Sequence, residues 1–354
     1  MKSSRVHIRV GLISLVLPLF FLITISIYFG RQFFTPSASP AQNGVTASPQ
    51  PAQADWQTIS ESFSQSLFTP ERSFAYYQVR NWENIDSLAR HYSVDKGKLG
   101  RLNPDPILPG MTIKIPPVES PLTEGSNTPL TPATVSISEE NGIVTVAGEQ
   151  NTPLAVTTLP ALAEYTKPYK VLTEIAPRQW RLEKPLFITS NIRLDVTDST
   201  LDRLELKSEP NAVVCLCLEN AEMLIKKVAV TSIDPTTNQP DKNPNDERSY
   251  IRARRNSRMD IIDSDISYLG NDFMKLEKGI QRGGGTYGIS WRIPDNRFGV
   301  EIATGWVENS QFHHNYFGGY TFGASGMTWR GNRFYENDVY GLDPHDDSNN
   351  ALIE

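Results

Sequence analysis

The feature that most constrains this chain is a repeat near its end. Trp306-Val307-Glu308-Asn309-Ser310-Gln311-Phe312 aligns with Trp329-Arg330-Gly331-Asn332-Arg333-Phe334, Asn315 then matches Asn337, and Gly318 matches Gly341, a period of 22 to 23 residues. A unit so short cannot bury a core alone and must stack on its neighbours. Upstream, strand-length runs follow one another closely: Leu186-Phe187-Ile188, Ile192 to Val196, Leu204 to Leu206, Val213 to Leu218 and Met223 to Ile225. Turn residues separate them, as in Asp198-Ser199, Glu209-Pro210-Asn211 and Glu219-Asn220. A sandwich or barrel also uses short strands but requires no such register. The expectation is a mainly β chain whose residues 180–354 wind as a parallel β-helix. Asn309/Asn332 and Asn315/Asn337 would occupy turns, where Asn tolerates left-handed backbone and can ladder between rungs.

Two stretches break the rhythm. Residues 232–255 are polar and Pro-rich, and residues 275–286 contain Gly283-Gly284-Gly285, which fits no nucleotide motif and reads as a loop. Ahead of the solenoid, residues 135–179 suggest a short strand pair and a helix near Leu159 to Tyr165, an N-terminal cap for an otherwise open core.

The other end of the chain has a different character. Val10 to Gly30 is an uncharged, mostly apolar run of 21 residues. As a helix it would rise about 30 Å, the thickness of a bilayer core. Lys2, Arg5 and Arg9 precede it, which keeps the short N-terminus cytoplasmic. Residues 1–34 are therefore expected to be a cytoplasmic N-terminus and transmembrane anchor. A cleaved signal peptide is the alternative, and both readings export everything that follows. Residues 35–73 form a Pro/Ala/Ser-rich linker, and residues 118–134 repeat that composition as a second one.

Between the linkers lies a module at residues 74–117. It opens with strand-like Tyr76-Tyr77-Gln78-Val79. The stripe Ile85, Leu88, Ala89 and Tyr92 argues a short amphipathic helix. Val94, Leu99 and Leu102 suit a second helix, and Leu108 to Pro116 a turn and a strand. Tyr77 and Val79, Ile85-x-x-Leu88-Ala89, Tyr92-x-Val94, Leu102-Asn103 and Leu108-x-Gly110-x-x-Ile113-x-Ile115-Pro116 resemble a LysM domain. The resemblance implies binding of N-acetylglucosamine polymers such as peptidoglycan. Trp82-Glu83-Asn84 stands where the Gly-Asp-Thr turn is usual.

A net charge of −6 argues against a nucleic-acid partner. It leaves room for an acidic sugar polymer, because a groove can be locally positive on an acidic protein. The one basic run, Arg248, Arg252, Arg254, Arg255 and Arg258, reads as a solvated loop or strand edge. Cys215 and Cys217 are two apart on a strand and read as small buried hydrophobes without a disulfide.

The densest polar cluster is Tyr340-Gly341-Leu342-Asp343-Pro344-His345-Asp346-Asp347-Ser348. On a strand with Leu342 inward, Gly341, Asp343 and His345 point outward. A carboxylate beside an imidazole orients it and raises its basicity. The rung register sets Tyr320 and Phe322 beside Asp343 and His345 and brings Arg292 near the same stripe. A polar turn with His345 satisfied by Asp343 is the plainer reading. His345, Asp346 and Asp347, with His313-His314 near, match no standard metal signature, so neither metal nor cofactor is expected.

Tyr340-Gly341-x-Asp343-Pro344-His345-Asp346-x-Ser348 resembles the motif of the mannuronan C5-epimerases, exported enzymes of alginate synthesis. The likeness extends more weakly through Gly305-Trp306, Tyr287-Gly288-Ile289-Ser290 and Leu269-Gly270 to about residue 155. It implies a right-handed parallel β-helix, a polyuronate groove, and the motif histidine, here His345, as the base that removes the C5 proton. Asp343 and Asp346 take the supporting positions, and Arg292, Tyr320 and Tyr340 are the expected substrate contacts. Asp347 stands where the family is often basic, and the family continues beyond Ala351-Leu352-Ile353-Glu354 for several rungs, so the chain is expected to be truncated relative to it. Expected partners are polymannuronate or alginate, peptidoglycan through the LysM-like module, and the membrane. The expected place is the bacterial cell envelope, anchored to the inner membrane with the folded part periplasmic. A polysaccharide lyase on the same fold and a non-catalytic glycan-binding scaffold are the alternatives.

Overall fold

The computed structural model describes residues 75–354, except 82, 93, 128–129, 132–133, 150–153, 211, 247, 273–285 and 294–300. The expected membrane segment, the first linker, Trp82 and the Gly triplet lie outside the described residues. Among the described residues no helix is long and apolar enough to cross a membrane.

The first element is a four-part module. An antiparallel pair, Ala75–Gln78 with Thr112–Ile115, closes around helices α1 (Ile85–His91) and α2 (Lys96–Leu102). Asn84 starts α1 by accepting from the amides of Asp86 and Ser87, while the Ser87 hydroxyl accepts from the Asn84 amide. Asp95 caps α2 through the Lys98 amide. Tyr77, Val79, Leu88, Tyr92, Leu99, Ile113 and Ile115 form a buried core, which is the apolar stripe read from the sequence.

From Leu186 onward the chain visits three parallel sheets in strict rotation. Sheet I contains Leu186–Thr189, Cys215–Glu219, Tyr250–Arg254, Gly288–Arg292, Phe317–Phe322 and Tyr340–Pro344. Sheet II contains Ile192–Thr197, Glu222–Lys226, Arg258–Ile262, Trp306–Glu308, Thr328–Arg330 and Leu352–Ile353. Sheet III contains Arg203–Glu209, Ala229–Asp234, Asp265–Ser267, Gln311–His313 and Arg333–Tyr335. Each strand pairs in parallel with the strand one circuit earlier. Alternation sends every second side chain inward, so Leu186, Leu216, Ile251 and Ile289 stack in one interior column. Each is fully buried, worth about 1.5–3 kcal/mol of apolar transfer per side chain.

A hairpin, Val135–Glu140 with Ile143–Gly148, continues sheet I at its beginning. Helix α3 (Leu159–Tyr165) lays Leu159 and Leu162 on the first circuit of the same core. Its amino end is capped by the Thr158 hydroxyl and carries Pro160 in its first turn.

Four details differ from the sequence reading. Trp306 pairs with Thr328, and Trp329 pairs with Val307. Trp329 therefore points into the core, where it packs edge-on against Trp291, while the Trp306 indole reaches Glu308 at 3.0 Å. The shared offset is set instead by Phe312 and Phe334, which stack at 5.1 Å, and by Asn337, whose Oδ1 accepts from the Asn315 amide at 3.0 Å. Asn332 accepts from Ser310 rather than matching Asn309; Asn309 corresponds to Gly331, both left-handed. Secondly, the Pro-rich excursion is shorter than 232–255, since Tyr250–Arg254 is a full strand of sheet I. Thirdly, Cys215 and Cys217 are joined as a disulfide on the outer face of sheet I. Their Cα atoms are 5.7 Å apart, inside the range a bridge can span.

The fourth concerns the second linker. Its composition does not leave residues 117–126 free. They run over the outer face of sheet II as a strap: the Leu122 amide donates to Asp260 (2.7 Å) and the Gly125 amide to Asp195 (2.9 Å). Arg258 donates to the Ser120 carbonyl (2.7 Å) and Arg193 to the Thr123 carbonyl. Leu122 is buried between Leu224 and Ile262. Polar, proline-rich composition predicts a tether only when the facing surface offers no matched partners.

Candidate active site

The outer face of sheet I carries two adjacent columns of side chains, set by the strand register. One runs Cys217, Arg252, Ser290, Tyr320, Asp343. The other runs Glu219, Arg254, Arg292, Phe322, and then His345, whose amide donates to the Thr321 carbonyl at 2.9 Å. Neighbouring rungs lie about 4.8 Å apart, so each column is a ladder of closely spaced groups.

His345 is half-exposed, 49% for its side chain. Its Nδ1 lies 3.9 Å from Asp343 and its Nε2 3.8 Å from Asp346. Both separations exceed a hydrogen bond, so the imidazole is flanked by two carboxylates and locked by neither. Its ring stacks on Phe322 at 5.8 Å and tilts against Tyr320 at 5.7 Å. Behind Phe322 sits Arg292, whose Cζ is 4.7 Å from the Phe322 centroid. Thus Asp343, His345, Asp346, Tyr320 and Arg292 come together. Tyr340 stands apart at the start of its strand, exposed and packed edge-on to Phe317 at 5.3 Å.

Burial pushes the Asp343 carboxyl up from its ordinary value, with Asp346 adding to the rise and His345 opposing it. The Tyr320 hydroxyl is pushed up to about 12 by burial, against the pull of Arg292. It is therefore a neutral hydrogen-bond donor at physiological pH. Burial lowers the Arg254 guanidinium, with Arg252, Arg255 and Arg292 as like charges and Glu219 as the opposing one.

Arg252 and Arg254 were not singled out for this site from the sequence. The signal was present: Arg252-x-Arg254 on a strand puts both side chains on one face. Arg254 reaches Glu219 at 3.4 Å, Arg252 lies over the Tyr250 ring at 5.4 Å, and the buried Arg252 Nε has no hydrogen-bond partner among the described residues. The basic run, expected as a solvated loop or strand edge, is split. Arg252 and Arg254 face outward from sheet I, whereas Arg248 and Arg258 are buried against Asp338 (3.0 Å) and Asp260 (2.6 Å). The arrangement offers a base, adjacent cations and aromatic groups on one sheet face. That set suits proton abstraction from an anionic, ring-shaped substrate.

No protein-family model matches the chain. Curated mannuronan C5-epimerases do match. That of Pseudomonas fluorescens is 23% identical over 192 residues, covering 52% of this chain and 34% of the relative. That of Pseudomonas aeruginosa is 23% identical over 192 residues, covering 52% and 33%. The mannuronan C5-epimerase AlgG of Azotobacter vinelandii is 40% identical over 50 residues, covering 14% and 10%. The chain spans about a third of the length of the first two of these relatives. Among solved structures, the periplasmic alginate epimerase AlgG aligns with a TM-score of 0.51 at 19% identity, covering 63% of this chain and 55% of that one. The matches to mannuronan C5-epimerases thus span about half of the chain, and the mainly β architecture with parallel sheets is shared with the solved alginate epimerase.

Proposed function

We propose that this chain is a polyuronate C5-epimerase, acting on mannuronan-type polymer outside the cytoplasm with His345 as the base. The observation that carries the reading is the position of His345: flanked by Asp343 and Asp346, and followed rung by rung by Tyr320 and Phe322, then Arg292, Arg254 and Arg252. The C5 proton of a uronate lies α to a carboxylate. Neutral His345 takes that proton, and the electron pair left behind delocalises onto the carboxylate, which then carries two negative charges. Arg292 is the nearest guanidinium to offset them, and preorganised charge at that point lowers the barrier. Water on the opposite face of C5 delivers the proton that completes the inversion, and the proton that His345 returns to solvent neutralises the hydroxide left behind. Tyr320 donates a hydrogen bond without ionising. Arg252 and Arg254 hold the carboxylates of neighbouring sugar residues, and Tyr340 supplies an apolar platform further along.

In this reading the three rotating sheets are a right-handed parallel β-helix. The module at residues 74–117 is LysM-like and holds a second glycan, peptidoglycan, as its strand–helix–helix–strand order and buried Tyr77, Leu88 and Ile113 support. The apolar run Val10 to Gly30 anchors the chain in the envelope. The test is proton NMR of polymannuronate after incubation with the chain. Guluronate signals without an unsaturated uronate chromophore support the epimerase. The chromophore alone identifies a lyase, which shares the first proton abstraction and then eliminates at C4. An unchanged polymer in the presence of folded chain rejects both.

A further inference from the structure

A second histidine cluster lies away from sheet I, where the turn leaves sheet III. His313 ends the strand Gln311–His313, and His314 follows in a left-handed conformation. The His313 Nε2 faces Asp265 from the preceding circuit at 2.9 Å, and the His314 Nε2 faces Glu336 from the following circuit at 3.0 Å. The two Nδ1 atoms face each other at 2.8 Å. Tyr335 stacks on His313 and Tyr268 on His314, each at 4.8 Å, fixing both ring planes.

Proton bookkeeping leaves the neutral pair one cation short. An ionised carboxylate only accepts, so each Nε2 must carry a hydrogen. A neutral imidazole then has a bare lone pair on Nδ1. Two such lone pairs pointed at each other repel unless a cation lies between them, either one proton shared by an imidazolium–imidazole pair or a metal ion. A ring whose far nitrogen is tied to a carboxylate is also the ordinary supporting arrangement for a metal-bound histidine.

We infer that His313 and His314 bind a borderline divalent cation of the zinc, nickel or copper class through their Nδ1 atoms, with Asp265 and Glu336 holding the two rings. Nitrogen donors favour that class over calcium or magnesium. Tetrahedral bonds of about 2.0–2.1 Å place two nitrogens about 3.3 Å apart, so the rings open by about half an ångström, less than one rotamer change. Among the described residues no group of three or more protein ligands could hold a metal. The site is therefore a two-nitrogen one, its remaining positions open to solvent. Asp265, the histidine pair and Glu336 come from three successive circuits, so the cation clips those circuits together on the side away from His345.

The test uses the whole chain and the metals alone. Zn²⁺ or Ni²⁺ is titrated at pH 7.5 in a non-coordinating buffer by calorimetry, with melting followed in parallel. One equivalent bound and a raised melting temperature are expected. His313→Ala and His314→Ala should each weaken binding at least tenfold, while His345→Ala retains it. Cu²⁺ should show an electron-spin resonance pattern from two imidazole nitrogens in the unmodified chain and from one in each single variant. If a variant melts below the assay temperature, Asp265→Asn and Glu336→Gln replace it, with weakened binding expected. No binding by folded chain, or binding that survives the His313→Ala/His314→Ala pair, overturns the inference.

Discussion

On sheet II, Arg193 and Arg258 lie on the outer face and are buried, each paired with the aspartate two residues later and with a strap carbonyl. On sheet I, Arg252, Arg254 and Arg292 hold comparable outward positions on the strands that lead to His345 but are only partly buried. Both faces obey the same two-residue alternation. What separates them is cover. Residues 117–126 bring carbonyls and amides that complete the sheet II charges, and a buried charge is tolerable only when so completed. Among the described residues no comparable strap completes Arg252 and Arg254 on sheet I, and both stay partly exposed. In the proposed reading the same residue type serves the fold on one face and substrate binding on the other. The residues that cover an arginine discriminate the two roles better than its strand position.

The contrast can be broken most directly at Asp260. Asp260→Ala should cost about 3–5 kcal/mol, because it strands the fully buried Arg258. Urea unfolding measures it, and a cost equal to that of Arg254→Ala would erase the distinction between the faces. Next in size is the reverse experiment. Arg252→Ala with Arg254→Ala should weaken polymannuronate binding by about tenfold or more, a loss of about 1.4 kcal/mol or more, with little change in the urea midpoint. Unaltered affinity would return these arginines to the status of a solvated edge.

A pH series sharpens the account of sheet II. Glu222 is buried between Arg193 and Arg258 in register, and His91 of α1 reaches it at 2.8 Å. Burial is the largest single influence on its carboxyl and raises it, yet His91, Arg193 and Arg258 together hold it below the ordinary carboxylate value. A carboxyl depressed on folding contributes stability that is fully present above its unfolded value, about 4.3. That contribution is lost as pH falls through the lower folded value. The stability gap between the unmodified chain and Glu222→Gln should therefore be full at pH 6 and shrink below about pH 4. A gap that stays constant would mean that the carboxylate charge does not fasten the first module to sheet II. The smallest effect belongs to the turn ladder: Asn337→Ala removes the bonds to Asn315 and Phe312 and should cost about 1 kcal/mol, read from the thermal midpoint.

Much of this was legible in the sequence, for identifiable reasons. The short period forces stacking, and alternation then assigns faces, so the neighbours of His345 on the previous rung could be read as Tyr320 and Phe322. The α1 stripe placed Leu88 and Tyr92 in a core. Legibility failed where long-range pairing decides. Trp306 and Trp329 look equivalent by identity, but a one-residue slip reverses a strand's faces, and Phe312 stacking on Phe334 fixes the other register. Nothing local in residues 117–126 announces the groups on sheet II that hold them. Arg248 and Arg258 read as solvated because what covers them, Asp338 for the first and the strap over the Arg258–Asp260 pair for the second, comes from distant positions or from composition that suggests a linker.

The central claim is that His345 removes a proton from C5 of a uronate held on sheet I. Polymannuronate incubated in D2O with the folded chain and with His345→Ala, and examined by NMR for deuterium at C5, tests it most directly. The account predicts exchange with the unmodified chain and a loss of about 10²–10⁴-fold in the variant, with polymer binding retained. Exchange at an undiminished rate in His345→Ala, or no exchange with folded, polymer-bound chain, would contradict it.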